Sequence, residues 1–552
     1  MVEFWQQRSG GSHGRCYHGA FEPVVELGSF GQTLRRLVKR SRPVSAIPFG
    51  RLVLQVRGPD RIGAFQPTSM KTKKLIQSSR GPKASRHNKS KRQCWKVVHP
   101  HAAGIDVGAT EHYVAVPPDS VSAEAGTVRS FGCFTEEIEA MVEWLKACGV
   151  DTVAMESTGV YWMVPFQKLE EAGLEVVLVN AQTLKHVPGR KTDVQDCQWI
   201  QQLHSYGLLR ASFRPDEATC RLRTVVRHRA NLVSAGAEQI LHMQKALTQM
   251  NVQLHHVVSH LTGETGLRIL KAILKGERDP YKLVELRDPQ ITRSTKAEMI
   301  KALRGDWRPE LLFVLAQSLE AWEFYQGQMK VCDLRIEEML KAMPSAPPPL
   351  PEAKPKADPL ASANPKRKAK QSRKRNDPEK DLGPELARIC GIDLTAAHGL
   401  RLLTVLTIVS EIGVDMSKWR SAKAFTSWLG LNPNNKISGG RILSSRTRKV
   451  INRVATALRM AAVGIADTDT WLGSHHRRMR ARLGPAGANT ASARKISTIV
   501  YHLLKTKEPF IDRDVVAYEA RVYRHKLARL KKQAKALGYE LVETTEQKQL
   551  VE

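Results

Sequence analysis

The chain has 552 residues, with 86 Lys and Arg against 54 Asp and Glu, for a net charge of +32. Domains run to about 100–200 residues, so a single small domain is excluded and several units are expected. The cationic excess calls for a polyanionic partner, because Lys and Arg that neutralise phosphates release condensed counterions. With aromatic residues at only 6%, a stacking platform is not the main device.

Eight Cys are scattered without CxxC or CxxH spacing, which argues against structural zinc. Together with the lack of a signal peptide they suit a reducing cytoplasm. No apolar run approaches the roughly 20 residues that span a bilayer, so no membrane partner is expected.

Residues 1–69 show no clear period and are read as an unassigned extension. Residues 70–97 form a basic arm, from Met70 to Lys96 without a single acid. Such blocks bind nucleic acid or remain solvated tails.

From 98 to 213 the text is α/β. Strands are expected at Ala102–Asp106, His112–Val116, Val128–Phe134, Thr152–Glu156 and Glu175–Val179, and helices at Glu136–Ala147, Tyr161–Ala172 and Val194–Tyr206. A three-strand meander followed by alternating helices and strands predicts an RNase H-like layout.

Residues 214–343 read as helical. Ile240, Met243, Leu247, Met250, Leu254, Val257 and Leu261 alternate spacings of three and four, the pattern of a coiled-coil seam, with self-association as the expected consequence. Arg229 and Gly236 are flaws in its upstream continuation. The alternative is an amphipathic helix packed on its own chain. Residues 344–384 form a Pro-rich basic linker. A mainly helical C-terminal domain is expected over 385–505 and a basic helical tail over 506–552.

Four acids carry the chemistry. Asp106 sits in Gly104-Ile105-Asp106-Val107-Gly108 at a strand end, and Glu156 ends the strand Thr152–Glu156. Asp193 and Asp196, spaced i,i+3, share one helix face. Carboxylates gathered at one sheet edge repel and need a cation, and oxygen ligands favour Mg²⁺, with Mn²⁺ as the alternative. Two such ions can stabilise attacking and leaving oxygens of a phosphodiester. Singly, each acid has a plainer reading: an N-cap for Asp193, a surface ion pair for Glu156, a turn residue for Asp106. Neither a Gly-x-Ser-x-Gly elbow nor a P-loop is present.

Gly-Ile-Asp-Val-Gly, Met-Glu-Ser-Thr-Gly-Val-Tyr-Trp and Lys-Thr-Asp-Val-Gln-Asp resemble the motifs of DEDD-type insertion-sequence transposases, the bridge-RNA-guided recombinases. Val98-His99-Pro100-His101-Ala102-Ala103-Gly104 is similar to their IS-eleven-eleven branch. The resemblance runs from about Met70 to Lys505. It implies that Asp106, Glu156, Asp193 and Asp196 form a Mg²⁺-binding tetrad in a RuvC-like domain. In the second half, Gly391-Ile392-Asp393 through Glu411-Ile412-Gly413 and Leu429-Gly430-Leu431-Asn432-Pro433 lead into Lys436-Ile437-Ser438-Gly439-Gly440-Arg441. The family's catalytic serine lies in such a Ser-Gly-Gly neighbourhood, which points to Ser438, with Ser444 and Ser445 as rivals. Lys436, Arg441, Arg446, Arg448 and Lys449 are candidates for holding the nucleic-acid backbone. Without the resemblance, Ser438 reads as an ordinary turn residue.

The resemblance further implies donor and target DNA as substrates, a structured guide RNA, and a homo-oligomer, dimer or tetramer. It suggests that Met70 is the natural start and 1–69 a mis-assigned extension, the alternative being an extra arm. The competing readings are a RuvC-like metal-dependent junction nuclease and a non-enzymatic RNA- or DNA-binding protein.

Overall fold

The computed structural model describes residues 56–57, 96–120, 126–180, 192–291, 294–346 and 376–541. Most of the expected extension, of the basic arm and of the linker fall outside these residues. The chain divides into two units, one of Met1–Met70 with Arg524–Glu552 and one of Lys71–Tyr523. In the first, the two-residue strands Val56–Arg57 and Glu540–Leu541 pair antiparallel. Everything below concerns the second, apart from the last residues of the helix Val515–Ala536, from Arg524 on.

Its sheet has five strands: β1 (Ala102–Val107), β2 (Glu111–Ala115), β3 (Val128–Gly132), β4 (Thr152–Glu156) and β5 (Glu175–Val179). Their spatial order is β3-β2-β1-β4-β5. β2 is antiparallel to β1 and β3, whereas β4 is parallel to β1 and β5. A meander of three strands extended by two parallel ones is compatible with an RNase H-like domain. β1 and β4 are almost continuously buried, as central parallel strands covered on both faces must be.

Helices α1 (Thr135–Ala147) and α2 (Met163–Glu171) cover one face. Ile138, Met141, Val142 and Leu145 of α1 recur at helical spacing and pack with Ile105, Val107, Val153 and Met155. Helix α3 (Asp193–Ser205) covers the other face, where Ile200 packs with Ala154 and Val179.

The predicted seam is resolved differently. Helix α4 (Glu217–Gln249) ends before the seam does. Met250 caps it and Asn251 adopts a positive φ of 53°, so the chain turns. Met243, Leu247, Met250, Leu254, Val257 and Leu261 are all buried in their own chain. They share a core with Leu315, Leu319 and Trp322 of α9 and with the four short helices between. Those are α5 (Leu254–Val257), α6 (Glu264–Leu274), α7 (Pro280–Glu285) and α8 (Lys296–Leu303), followed by α9 (Pro309–Ala342). The seam is therefore no continuous coiled coil; a heptad spacing with only about three repeats does not distinguish a partner helix in the same chain from one in another.

The two flaws have structural roles. Arg229 and Asp333 form a buried ion pair between α4 and α9, and Arg229 Nη2 also donates to the Asn376 carbonyl at 3.0 Å. A Cβ at Gly236 would meet Trp322, Tyr325 and Gln326 of α9 at ordinary contact distance. Higher numbers on α4 thus meet lower numbers on α9, so the two long helices run antiparallel.

The C-terminal part holds α10 (Gly383–Cys390), α11 (Leu402–Ile412), α12 (Ala422–Trp428), α13 (Arg453–Gly464), α14 (Trp471–Thr506) and α15 (Val515–Ala536). The described part of the expected linker already begins α10 at Gly383. α14 is broken by non-helical Gly484 before Pro485. Arg227 of α4 grips Glu411 of α11 through two bonds of 2.8 and 2.7 Å, and Arg223 donates to the Glu411 carbonyl at 2.6 Å. Among the described residues no helix is long and apolar enough to cross a membrane.

A test of the helical scaffold follows. Asp333→Ala leaves Arg229 buried without its partner and should lower stability by about 3–5 kcal/mol. The double substitution Arg229→Met, Asp333→Leu removes both charges and should recover most of that loss. Urea midpoints measure both, and equal losses in the two proteins would contradict the buried pair.

Candidate active site: a carboxylate edge and an exposed serine hairpin

Strand alternation decides where the acids point. Ile105 and Val107 face α1 and α2, so Gly104 and Asp106 face α3. By the same alternation Val153 and Met155 face α1 and α2, and Glu156 shares the α3 face with Ala154. β1 and β4 run parallel with Ile105 opposite Met155, so Asp106 and Glu156 lie at the same level on neighbouring strands. Both are half-buried.

α3 is held against this face at unusually short range. A Cβ on Gly104 would stand 2.3 Å from the Gln201 nitrogen and 2.5 Å from the Cys197 carbonyl oxygen, so only glycine admits the helix. The far end of α3 is pinned at the start of β1 and β4. Gln201 Nε2 donates to the Ala102 carbonyl at 3.1 Å, the backbone of Val98 and His99 donates to the Ser205 carbonyl, and His204 Nε2 bonds Thr152 Oγ1 at 2.9 Å. α3 therefore runs antiparallel to β1, and its first turn, with Asp193 and Asp196, lies at the strand ends that carry Asp106 and Glu156.

Electrostatics agree with this placement. Burial, then the charges of Asp106 and Asp196 among smaller influences, push the Cys197 thiol up to about 12. The Tyr113 hydroxyl donates to Glu111 Oε2 at 2.9 Å, which raises its pKa, and the Asp193 charge adds to the shift. Tyr113 is the cross-strand partner of Asp106. Asp193 is not the helix cap: Thr192 is, its hydroxyl accepting from the Gln195 amide at 3.3 Å. Asp193 and Asp196 instead occupy the first turn, where the helix dipole favours negative charge.

The donor set is all oxygen, as a hard divalent cation requires. The side chains are not drawn into a closed shell: among the described residues no three His, Cys, Asp or Glu groups stand ready to hold a metal. Glu156 instead accepts from Thr158 Oγ1. Sequence reasoning missed Tyr113 and Glu111 beside the acids. Pairing the Gly108 turn as a hairpin would have placed Tyr113 opposite Asp106.

Ser438 lies elsewhere in the chain, on a small hairpin of β6 (Lys436–Ser438) and β7 (Arg441–Ser444). Ser438 pairs with Arg441 across a two-residue loop. Both loop residues, Gly439 and Gly440, have positive φ, 53° and 75°, which is why the loop is Gly-Gly. The hairpin is exposed along its length, including Ile437, Ile442 and Leu443. Lys436 and Arg441 on the hairpin, and Arg446 and Lys449 after it, are exposed. Arg448 is also exposed but donates to the Ser427 carbonyl at 2.6 Å, which fastens the loop to α12. The Ser444 hydroxyl accepts from the Arg446 amide at 3.3 Å, a turn contact. Among the described residues no group hydrogen-bonds the Ser438 hydroxyl.

Strand-end and helix-end acids on a five-stranded sheet, in a chain of net charge +32, are compatible with an enzyme that acts on nucleic-acid phosphodiesters. Comparison with known families makes it specific. A DEDD transposase model of the IS110 type, described as "Transposase", matches residues 103–252. The model "Transposase IS116/IS110/IS902 family" matches residues 393–477. The chain is a DNA transposase or recombinase, and residues 103–252 and 393–477 are similar to IS110-type transposase models. The first match contains all four acids, and the second contains Ser438. No curated protein matches the chain.

The clamp at the C-terminal end of α3 makes a pH prediction. Burial, helped by neighbouring His99 and opposed by Asp151, lowers the His204 pKa from 6.5 to about 4. Between these values the unfolded chain binds a proton that the folded chain refuses, so stability is full above pH 6.5 and is lost as pH falls towards 4. His475, lowered to about 4 by burial, acts in the same direction. Denaturation midpoints should fall across that window, and less steeply in His204→Gln. An identical pH slope in the variant would contradict the clamp.

Proposed function

We propose that this transposase cuts and rejoins DNA by serine attack at a divalent-cation site, with target and donor chosen by a structured guide RNA. What supports the reading is that Asp106 and Glu156 end neighbouring strands while Asp193 and Asp196 occupy the first turn of α3 at the same end of the sheet, in a chain that also presents Ser438 on a basic, solvent-open turn. Asp106, Glu156, Asp193 and Asp196 would hold Mg²⁺, or Mn²⁺. Bound there, the cation supplies charge stabilisation for the transferring phosphate.

The chain's own groups do the rest. Gly439 and Gly440 let the backbone approach a phosphate without a side-chain barrier. Lys436, Arg441, Arg446 and Lys449 bind and orient the DNA backbone. Ser438 Oγ attacks phosphorus; the new O–P bond forms as the bond to the 3′ oxygen breaks, and the hydroxyl proton passes in net to the departing 3′ oxygen. The product is a 5′-phosphoserine with a free 3′-hydroxyl, and reversal onto a new strand completes exchange. The serine and the acids belong to separate segments of the chain, so the reading allows one subunit's hairpin to serve another's acids in a dimer or tetramer. The net charge of +32 supports simultaneous contact with DNA and RNA.

Ser438→Ala should abolish the covalent protein–DNA adduct and strand exchange while nucleic-acid binding persists. Ser444→Ala and Ser445→Ala should retain both. Asp106→Asn and Asp193→Asn should abolish recombination in Mg²⁺ with the fold kept. Peptide mass spectrometry of the trapped adduct locates the serine. Exchange by a protein lacking all three hydroxyls would refute the serine step and favour a junction nuclease, which cuts without an adduct.

A further inference from the structure

A second built site lies away from both the acids and the hairpin. A cavity of about 340 Å³ opens between the second half of α14 and the segment leading to α15. That is the low end of the range for small-ligand pockets, roughly 300–1,000 Å³. Its wall includes Trp471, which is 2% exposed. The Trp471 Nε1–H is buried and donates to no acceptor among the described residues. Buried indole N–H groups normally find a partner, so this one marks a place for an acceptor brought from outside.

Two cations lie against the same ring. The Arg513 guanidinium carbon is 4.9 Å and Lys495 Nζ 5.8 Å from its centroid, and both residues line the cavity. Phe510 adds an apolar wall, while Glu508 adds one acid. The lining thus combines an apolar surface, a cationic side and a polar set that includes Thr498, His502, Thr506 and Glu508. Free phosphate would engage the cations but leave the apolar wall uncovered. A nucleotide unit would engage all three, with its phosphate at Lys495 and Arg513 and its base along the apolar wall.

The walls are fixed in advance. Lys507 takes a positive φ of 57° and its Nζ donates to the Cys390 carbonyl at 2.8 Å. His398 Nε2 bonds Asp512 Oδ1 at 2.8 Å, and the His398 ring meets Phe510 edge-on. On the opposite side Arg478 Nη2 donates to the Tyr518 hydroxyl at 2.8 Å, and the Tyr518 ring packs on Trp471. A segment between two helices is thereby held as a cavity wall.

We propose that this pocket receives a single unpaired nucleotide of a nucleic-acid strand, its phosphate between Lys495 and Arg513 and a base acceptor on the Trp471 N–H. The pocket is too small for a base pair, so the nucleotide must be single-stranded or extruded. The inference deepens the nucleic-acid reading above, but its test does not depend on strand cleavage, so either can fail without the other.

The test uses the full chain with two short single strands of one sequence, a DNA carrying 5-iododeoxyuridine and an RNA carrying 5-iodouridine, each irradiated with excess duplex DNA present to occupy general phosphate contacts. The expected result is a photo-adduct in peptides from residues 471–513. Adducts from DNA alone, RNA alone or both name the strand that supplies the nucleotide. Lys495→Gln with Arg513→Gln should lower the yield at this site at least several-fold while adducts elsewhere persist, and Trp471→Phe, which keeps the ring and loses the donor, should lower it too. Circular dichroism checks that the variants fold. Absence of an adduct in 471–513 from both strands, or an undiminished yield in the double variant, overturns the proposal.

Discussion

The structure around the acids depends on one close approach, that of the α3 backbone onto β1 at Gly104. No side chain separates them, since a Cβ there would overlap the Gln201 nitrogen. The approach fixes the depth of the helix, and the bonds from Gln201, His204 and Ser205 fix its direction. With depth and direction set, the first turn must lie over the strand ends. Asp193 and Asp196 therefore reach the neighbourhood of Asp106 and Glu156 because of contacts made at the opposite end of the helix.

Carboxylates drawn together around one point cost free energy unless a cation compensates them. The fold offsets part of this by placing two of them at a helix N-terminus, where the dipole favours negative charge. The hairpin is built on the opposite principle. The hairpin that carries Ser438 exposes Ile437, Ile442 and Leu443, apolar surface that water does not satisfy well. Under the proposed function the two surfaces are complementary to different parts of a phosphodiester reaction: the acids would hold a cation and the basic turn a strand.

Much of the sheet was legible because its signals are local. Thr152–Glu156 and Glu175–Val179 are apolar runs bounded by turns, and the structure places both strands at those residues. α1 follows from the spacing of Ile138, Met141, Val142 and Leu145. The seam from Ile240 to Leu261 misled because periodicity reports a buried face without saying what buries it, and here α9 and the short helices do. Arg229 and Gly236 looked like defects for the same reason: their partners are about a hundred residues away in sequence. The joint placement of the acids was readable as a pattern, whereas its cause, Gly104 against Gln201, is a tertiary contact. For Ser438 the physical signal in sequence was only that of a Gly-Gly turn, and the structure confirms that turn; its chemical role rests on the family's pattern.

The central claim is that Asp106, Glu156, Asp193 and Asp196 act together as one divalent-cation site. Anomalous X-ray diffraction from crystals of the full chain soaked in Mn²⁺ tests it most directly. The account predicts a manganese peak at the ends of β1 and β4 beside the first turn of α3, with carboxylate oxygens of Asp106 and at least one α3 acid about 2.0–2.3 Å from the ion, the range for hard cations and oxygen ligands. Manganese bound only elsewhere, with no peak among these four residues at saturating concentration, would contradict it.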